Sequence, residues 1–145
     1  MNEFPHHYPV TASVSSDSYV TLQSPGISAT IESAAPAQFG GPGDRWSPET
    51  ILVAAVADCF LLSFKAIATA SRFEWLALEC SVDGVLDKVE RTIRFTEMHI
   101  KAKLTVAEGT PVEKATKLLE KAEQHCLVSN SLSSQVHLES EVIFS

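Results

Sequence analysis

Of the three cysteines in this 145-residue chain, two occupy segments with helical character, and their thiols are the groups best suited to chemistry. Cys59 lies in Ser47-Pro48-Glu49-Thr50-Ile51-Leu52-Val53-Ala54-Ala55-Val56-Ala57-Asp58-Cys59-Phe60, and Cys126 ends a second helical pattern and opens Cys126-Leu127-Val128-Ser129-Asn130-Ser131-Leu132. Two sulfurs brought together by a fold can run a redox cycle, in which a thiolate is oxidised to a sulfenic acid and a second thiol closes a disulfide. Sulfurs that stay apart are ordinary buried cysteines. The residues by themselves leave both readings open.

The position of each thiol sets what it needs. Cys59 stands about ten residues into its helix, and the helix macrodipole fades within the first turn. An unaided thiol is only a few per cent thiolate at neutral pH, and burial lowers that fraction. Activation of Cys59 therefore calls for a positive group delivered by the tertiary fold. Cys126, at the negative end of its helix, suits a resolving thiol better than a first nucleophile. Cys80 alternates with Leu78 and Val82 in a strand pattern and reads as structural. Glu49 is a helix-start carboxylate that could also orient an arginine, and Arg45 in the preceding loop is the candidate cation.

The histidines form no metal-binding pattern along the chain. His6-His7 lie near the terminus, His99 and His137 fall on outward strand faces, and His125 precedes Cys126. With no His-x-x-x-His or Cys-x-x-Cys spacing, no dedicated zinc site is expected. Asp58, the one charge between Ile51 and Phe64, marks either the solvent side of its helix or the wall of a pocket. The loop over 33–46 has no Gly-Lys-Ser/Thr, which argues against a phosphate-cradling site.

These residues need elements to hold them. Residues 8–14 and 18–32 read as strands around a polar Ser15-Ser16-Asp17-Ser18 turn, with Pro25-Gly26 punctuating the second. The first helix opens with Ser47 as cap, Pro48 at the first position and Glu49 at the positive end of the dipole. From Ile51 to Phe64 it is apolar nearly all round, which implies cover both from its own sheet and from another subunit. Residues 75–86 alternate as a strand, while 91–107 change phase partway. A one-residue slip exchanges the faces of a strand, so a bulge is expected near Thr96–Glu97. Thr110-Pro111-Val112-Glu113 reads as a capping box opening a second helix, along which Val112, Ala115, Leu119, Ala122 and Cys126 share a stripe. A last strand covers 135–144. The order is β-β-α-β-β-α-β, an α+β arrangement in a single domain over 1–145.

Composition narrows the partners. A formal charge of −7, with scattered basic residues, argues against nucleic acid. Residues 1–10 lack the apolar core of a secretory signal, and the Ile51–Phe64 run is shorter than a bilayer span. An odd number of widely spaced cysteines suits free thiols in a reducing compartment. The expectation is a cytoplasmic protein with no membrane partner.

The segments Ser47-Pro48-Glu49…Ala57-Asp58-Cys59-Phe60 and His125-Cys126-Leu127-Val128-Ser129-Asn130-Ser131-Leu132 resemble the OsmC/Ohr family of thiol peroxidases, over almost the whole chain and closer to the OsmC-like branch. The resemblance implies an intertwined homodimer around a long buried central helix, with active sites at the interface. It implies that Cys59 is the peroxidatic cysteine, Cys126 the resolving one, and Glu49 the carboxylate that holds an arginine beside the thiolate. It further implies an organic hydroperoxide as substrate, no bound cofactor, and an external dithiol reductant of lipoyl type. Two positions depart from the family pattern: Gln38 stands where an upstream arginine is usual, and Leu127 where proline usually follows the second cysteine. The alternative is a protein of the same fold that binds a small apolar or electrophilic ligand in the interface pocket, with little or no peroxidase activity.

Overall fold

The computed structural model describes residues 3–145 and divides between Ile51 and Leu52 into two compact units. In the first unit, β1 (Thr11–Ser13), β2 (Val20–Ser24) and β3 (Ile27–Ser33) form an antiparallel sheet in that order. The single strand expected over 18–32 is in fact two. Pro25 contributes no N–H and Gly26 takes a φ of 80°, so the chain folds back on itself at this pair. A 3-10 turn at Ala37–Phe39 follows, and Ser33 bridges Trp46 ahead of the first helix.

Helix α1 runs from Pro48 to Ala70. Its start is doubly fastened: Thr50 N–H donates to Ser47 Oγ at 3.1 Å, and Ser47 N–H donates to Thr50 Oγ1 at 2.9 Å. This is reciprocal capping with threonine in the place of the usual glutamate. The helix extends past Phe64, where its apolar pattern thins, and closes with Phe73 N–H on Ala68 O and Arg72 N–H on Thr69 O. Arg72, at φ 53°, holds the left-handed position that glycine usually marks, which is why the sequence gives no stop signal. At 23 residues α1 is long and apolar enough, by length and composition, to cross a membrane, a correction to the shorter span read from Ile51–Phe64. Here it is the core helix, burying Val56, Phe60, Phe64 and Ala68 along one i, i+4 stripe. Beside that stripe Leu52, Val53, Leu61 and Ile67 are partly buried against the same core, while Leu62 is 57% exposed.

In the second unit β4 (Ala77–Val89), β5 (Thr92–Val106) and β6 (Gln135–Phe144) form a sheet ordered β4-β5-β6. β4 and β5 pair antiparallel, while β5 and β6 pair parallel and are joined across α2 (Val112–Gln124) and the four-residue α3 (Leu127–Asn130). The expected bulge is present: Val85 faces Glu97 and Leu86 faces Phe95, so Thr96 is the extra residue. Beyond it, Met98, Ile100, Ala102, Leu104 and Val106 all turn into the core against α1 and the Ala115, Leu118, Leu119 and Ala122 face of α2. Full burial of each large apolar side chain contributes about 1.5–3 kcal/mol, so this one face dominates the unit's stability.

Helix α2 starts differently from the capping box read in the sequence. Pro111 is the N-cap, and Thr110 spends its hydroxyl on Ala107 O at 2.7 Å. Val112 is consequently 47% exposed, and Leu118 is buried in the core.

Helix α1 and the sheet meet most closely at Gly84, where a Cβ would lie 2.6 Å from Val53 Cγ2 and 3.1 Å from Phe95 Cε1. Gly84→Ala is therefore expected to lower unfolding stability by about 1–3 kcal/mol, the usual cost of overpacking, as a shift in the urea midpoint with unchanged slope.

Candidate active site

The fold brings Cys59 and Cys126 together. Cys59 sits on α1, half-buried, one residue before the core residue Phe60 and one turn before Ser63. Cys126 is fully buried, with its Sγ 4.0 Å from Val56 O on the same stretch of α1. The two thiols are close enough for each to shift the ionisation of the other, and neither is in a disulfide.

Cys126 does not end the second helix as the sequence suggested. Helix α2 stops at Gln124 with His125 as its C-cap, and Cys126 is the N-cap of α3. The reversal matters because a helix start presents free N–H groups where a helix end presents carbonyls. Ser129 Oγ donates to Cys126 O at 3.2 Å and Asn130 N–H closes the turn on the same carbonyl at 3.0 Å.

Burial pushes the Cys59 thiol up, but the Val128 N–H, the Cys126 thiol, the Ser63 hydroxyl and the Leu127 N–H outweigh it, and the net displacement is downward. The Ser63 Oγ lies 3.9 Å from the sulfur. These stabilising groups are neutral hydrogen-bond donors, so the lowering of Cys59 does not rest on the full positive charge that the sequence argument required. Leu127 acquires a meaning here: a proline at this position would have no N–H to donate. Cys126 moves the opposite way. Burial raises it, Ser129 partly offsets this, and the neighbouring Cys59 charge raises it further. The two shifts therefore run in opposite directions, downward at Cys59 and upward at Cys126.

Cys80 is pushed up by burial alone and its Sγ contacts Ala57 O at 3.9 Å, which agrees with the structural reading. Asp58 and His125 are exposed. In the first unit, Arg45 pairs with Asp44 at 3.3 Å and Glu32 at 3.8 Å, and its guanidinium lies 4.5 Å from the centre of the Tyr19 ring. Among the described residues it makes no ion pair with Glu49. Among the described residues, Glu49 Oε1 is buried without a hydrogen-bond partner.

Sequence reasoning found both thiols but missed Ser63, the N–H of Val128 and the N–H of Leu127. Ser63 follows Cys59 by four residues and was legible as a same-face neighbour. The two N–H groups belong to a helix too short to show periodicity.

Residues 41–141 match the family model described as OsmC-like protein. YmaD of Bacillus subtilis (strain 168), described as uncharacterized, is 24% identical over 124 residues, covering 83% of this chain and 81% of its own. An OsmC-like protein of unknown function from Vibrio cholerae superposes with a TM-score of 0.86 at 18% identity, over 94% of this chain and 100% of that one. The organic hydroperoxide resistance protein OsmC from Legionella pneumophila gives 0.76 at 18% identity, over 97% and 99%. At such identities the structures speak for the fold, and the family match spans more than two thirds of the sequence. The chain belongs to the OsmC-like protein family.

Proposed function

We propose that this protein is a dithiol peroxidase that reduces organic hydroperoxides, with Cys59 as the attacking thiolate and Cys126 as the resolving thiol. The observation that carries the reading is the contrast between neighbouring thiols: Cys126, buried with its Sγ 4.0 Å from Val56 O on the helix that carries Cys59, is raised, while Cys59 is lowered.

In the first step the Cys59 thiolate attacks the outer oxygen of a hydroperoxide. An S–O bond forms, the O–O bond breaks, and the departing alkoxide takes a proton to leave as alcohol. The sulfur, oxidised to sulfenic acid, is then attacked by Cys126, which gives up its proton; hydroxide leaves with a proton as water and the disulfide closes. An external dithiol of lipoyl type restores both thiols by two exchange steps and is itself oxidised to a disulfide. The exposed side chains of Leu62 and Leu127 would favour an organic peroxide over hydrogen peroxide. The reducing cytoplasm is the compartment in which such a resting dithiol persists.

The family resemblance would also place Glu49 and Arg45 in this site, Glu49 as the carboxylate whose buried Oε1 awaits a donor and Arg45 as a cation near the thiolate. The uncovered faces of α1, with Leu62 exposed, are the surface over which an intertwined homodimer would pack. The competing reading, a ligand-binding member with little chemistry, is favoured by Gln38 at the usual arginine position and by the existing partners of Arg45.

Reduced protein treated with a slight excess of cumene hydroperoxide is expected to lose two of its three thiols promptly, as counted with a thiol reagent. Thiols that remain titratable for hours would favour the competing reading.

A further inference from the structure

We propose that Glu97, His99 and His137 form a binding site for a zinc-class divalent ion on the outer face of the β4-β5-β6 sheet. Glu97 and His99 are two apart on β5 and so share one face, opposite that of the core residues Met98 and Ile100. His137 on β6 is the direct register partner of His99. Both imidazoles point Nε2 at the same carboxylate oxygen: His99 Nε2 and His137 Nε2 each lie 3.2 Å from Glu97 Oε1. The three candidate ligand atoms fall within 4.8 Å of one another.

The spacing fits a tetrahedral ion. Donors about 2.0–2.1 Å from zinc sit roughly 3.3–3.4 Å from one another, close to the two distances present. The imidazole rings stack with centroids 4.7 Å apart and 15° between planes, so ligation requires each ring to swing toward the other at χ2. Ligation requires neutral imidazoles that carry their proton on Nδ1 and leave the Nε2 lone pair free. Three protein ligands leave a fourth position for water, and two imidazoles with one carboxylate suit Zn²⁺, Cu²⁺ or Ni²⁺ over Ca²⁺ or Mg²⁺. Because the ligands come from two strands, linear spacing along the chain could not show the site. An ion held there would join β5 to β6, the one parallel pair in the unit, and stabilise the native state by binding it alone.

The test is calorimetric titration of Zn²⁺ into the reduced full-length protein, with thermal unfolding as a second readout. Wild type is expected to bind one equivalent and to unfold at higher temperature with zinc present. His99→Ala and His137→Ala should each weaken binding by at least about 100-fold, since loss of even an outer-shell partner of a metal ligand costs roughly 10–100-fold. Glu97→Gln, which keeps the side-chain shape, should weaken it at least about tenfold. Binding should survive in the Cys59→Ser/Cys126→Ser and His6→Ala/His7→Ala double variants. The site is refuted if zinc binding is lost in either double variant but intact in His99→Ala and His137→Ala. Absence of saturable binding below about 100 μM would refute it as well.

Discussion

Cys59→Ser is expected to stop peroxide consumption, lowering the rate with cumene hydroperoxide by roughly 10³-fold or more. A serine hydroxyl in the same place meets the same donors but stays protonated at neutral pH, so the Val128 and Leu127 N–H groups have no anion to stabilise. The expected loss falls on chemistry and leaves the fold intact, because Cys59 is only half-buried and the core stripe runs through Val56, Phe60, Phe64 and Ala68. Stopped-flow measurement of peroxide loss, beside an unchanged thermal midpoint, checks both parts. Full activity in Cys59→Ser would mean that another thiol or another group does the reduction.

Cys126→Ser is expected to separate the half-reactions. The first turnover should proceed, since the groups that lower Cys59 include three besides Cys126, namely Val128, Ser63 and Leu127. Resolution should then fall to the external reductant. A thiol already beside the sulfenic acid acts at an effective concentration far above the millimolar level of a free dithiol, so steady-state turnover should drop by about 100-fold. The stalled sulfenic acid is trappable with a dimedone-type reagent and visible as a mass increase on the Cys59 peptide. A stall at Cys59 with unchanged steady-state turnover would remove Cys126 from the cycle.

Much of this was legible in the residues. The phase change along 91–107 located the bulge because the side-chain period of a strand is two, and an inserted Thr96 leaves no other arrangement that keeps Met98 to Val106 inside. Ser47-Pro48 marked the start of α1 through local capping chemistry. The misses were tertiary or backbone in origin. Arg72 ends α1 in a conformation that its side chain does not announce. Thr110 chose a local carbonyl over the helix it was expected to cap. The placement of Cys126 at the wrong kind of helix end followed from a periodicity that continues by coincidence past Gln124, and it inverted the electrostatics of the site. Helix α3, with its four residues and no apolar repeat, is what corrected the sign.

The pairing of the two sulfurs is tested most directly by oxidising the reduced protein with one equivalent of cumene hydroperoxide, digesting it without reductant, and mapping the cross-linked peptides by mass spectrometry. The account predicts a Cys59–Cys126 linkage in most of the protein, with Cys80 recovered as a free thiol. A linkage through Cys80, or all three cysteines recovered reduced, would contradict it.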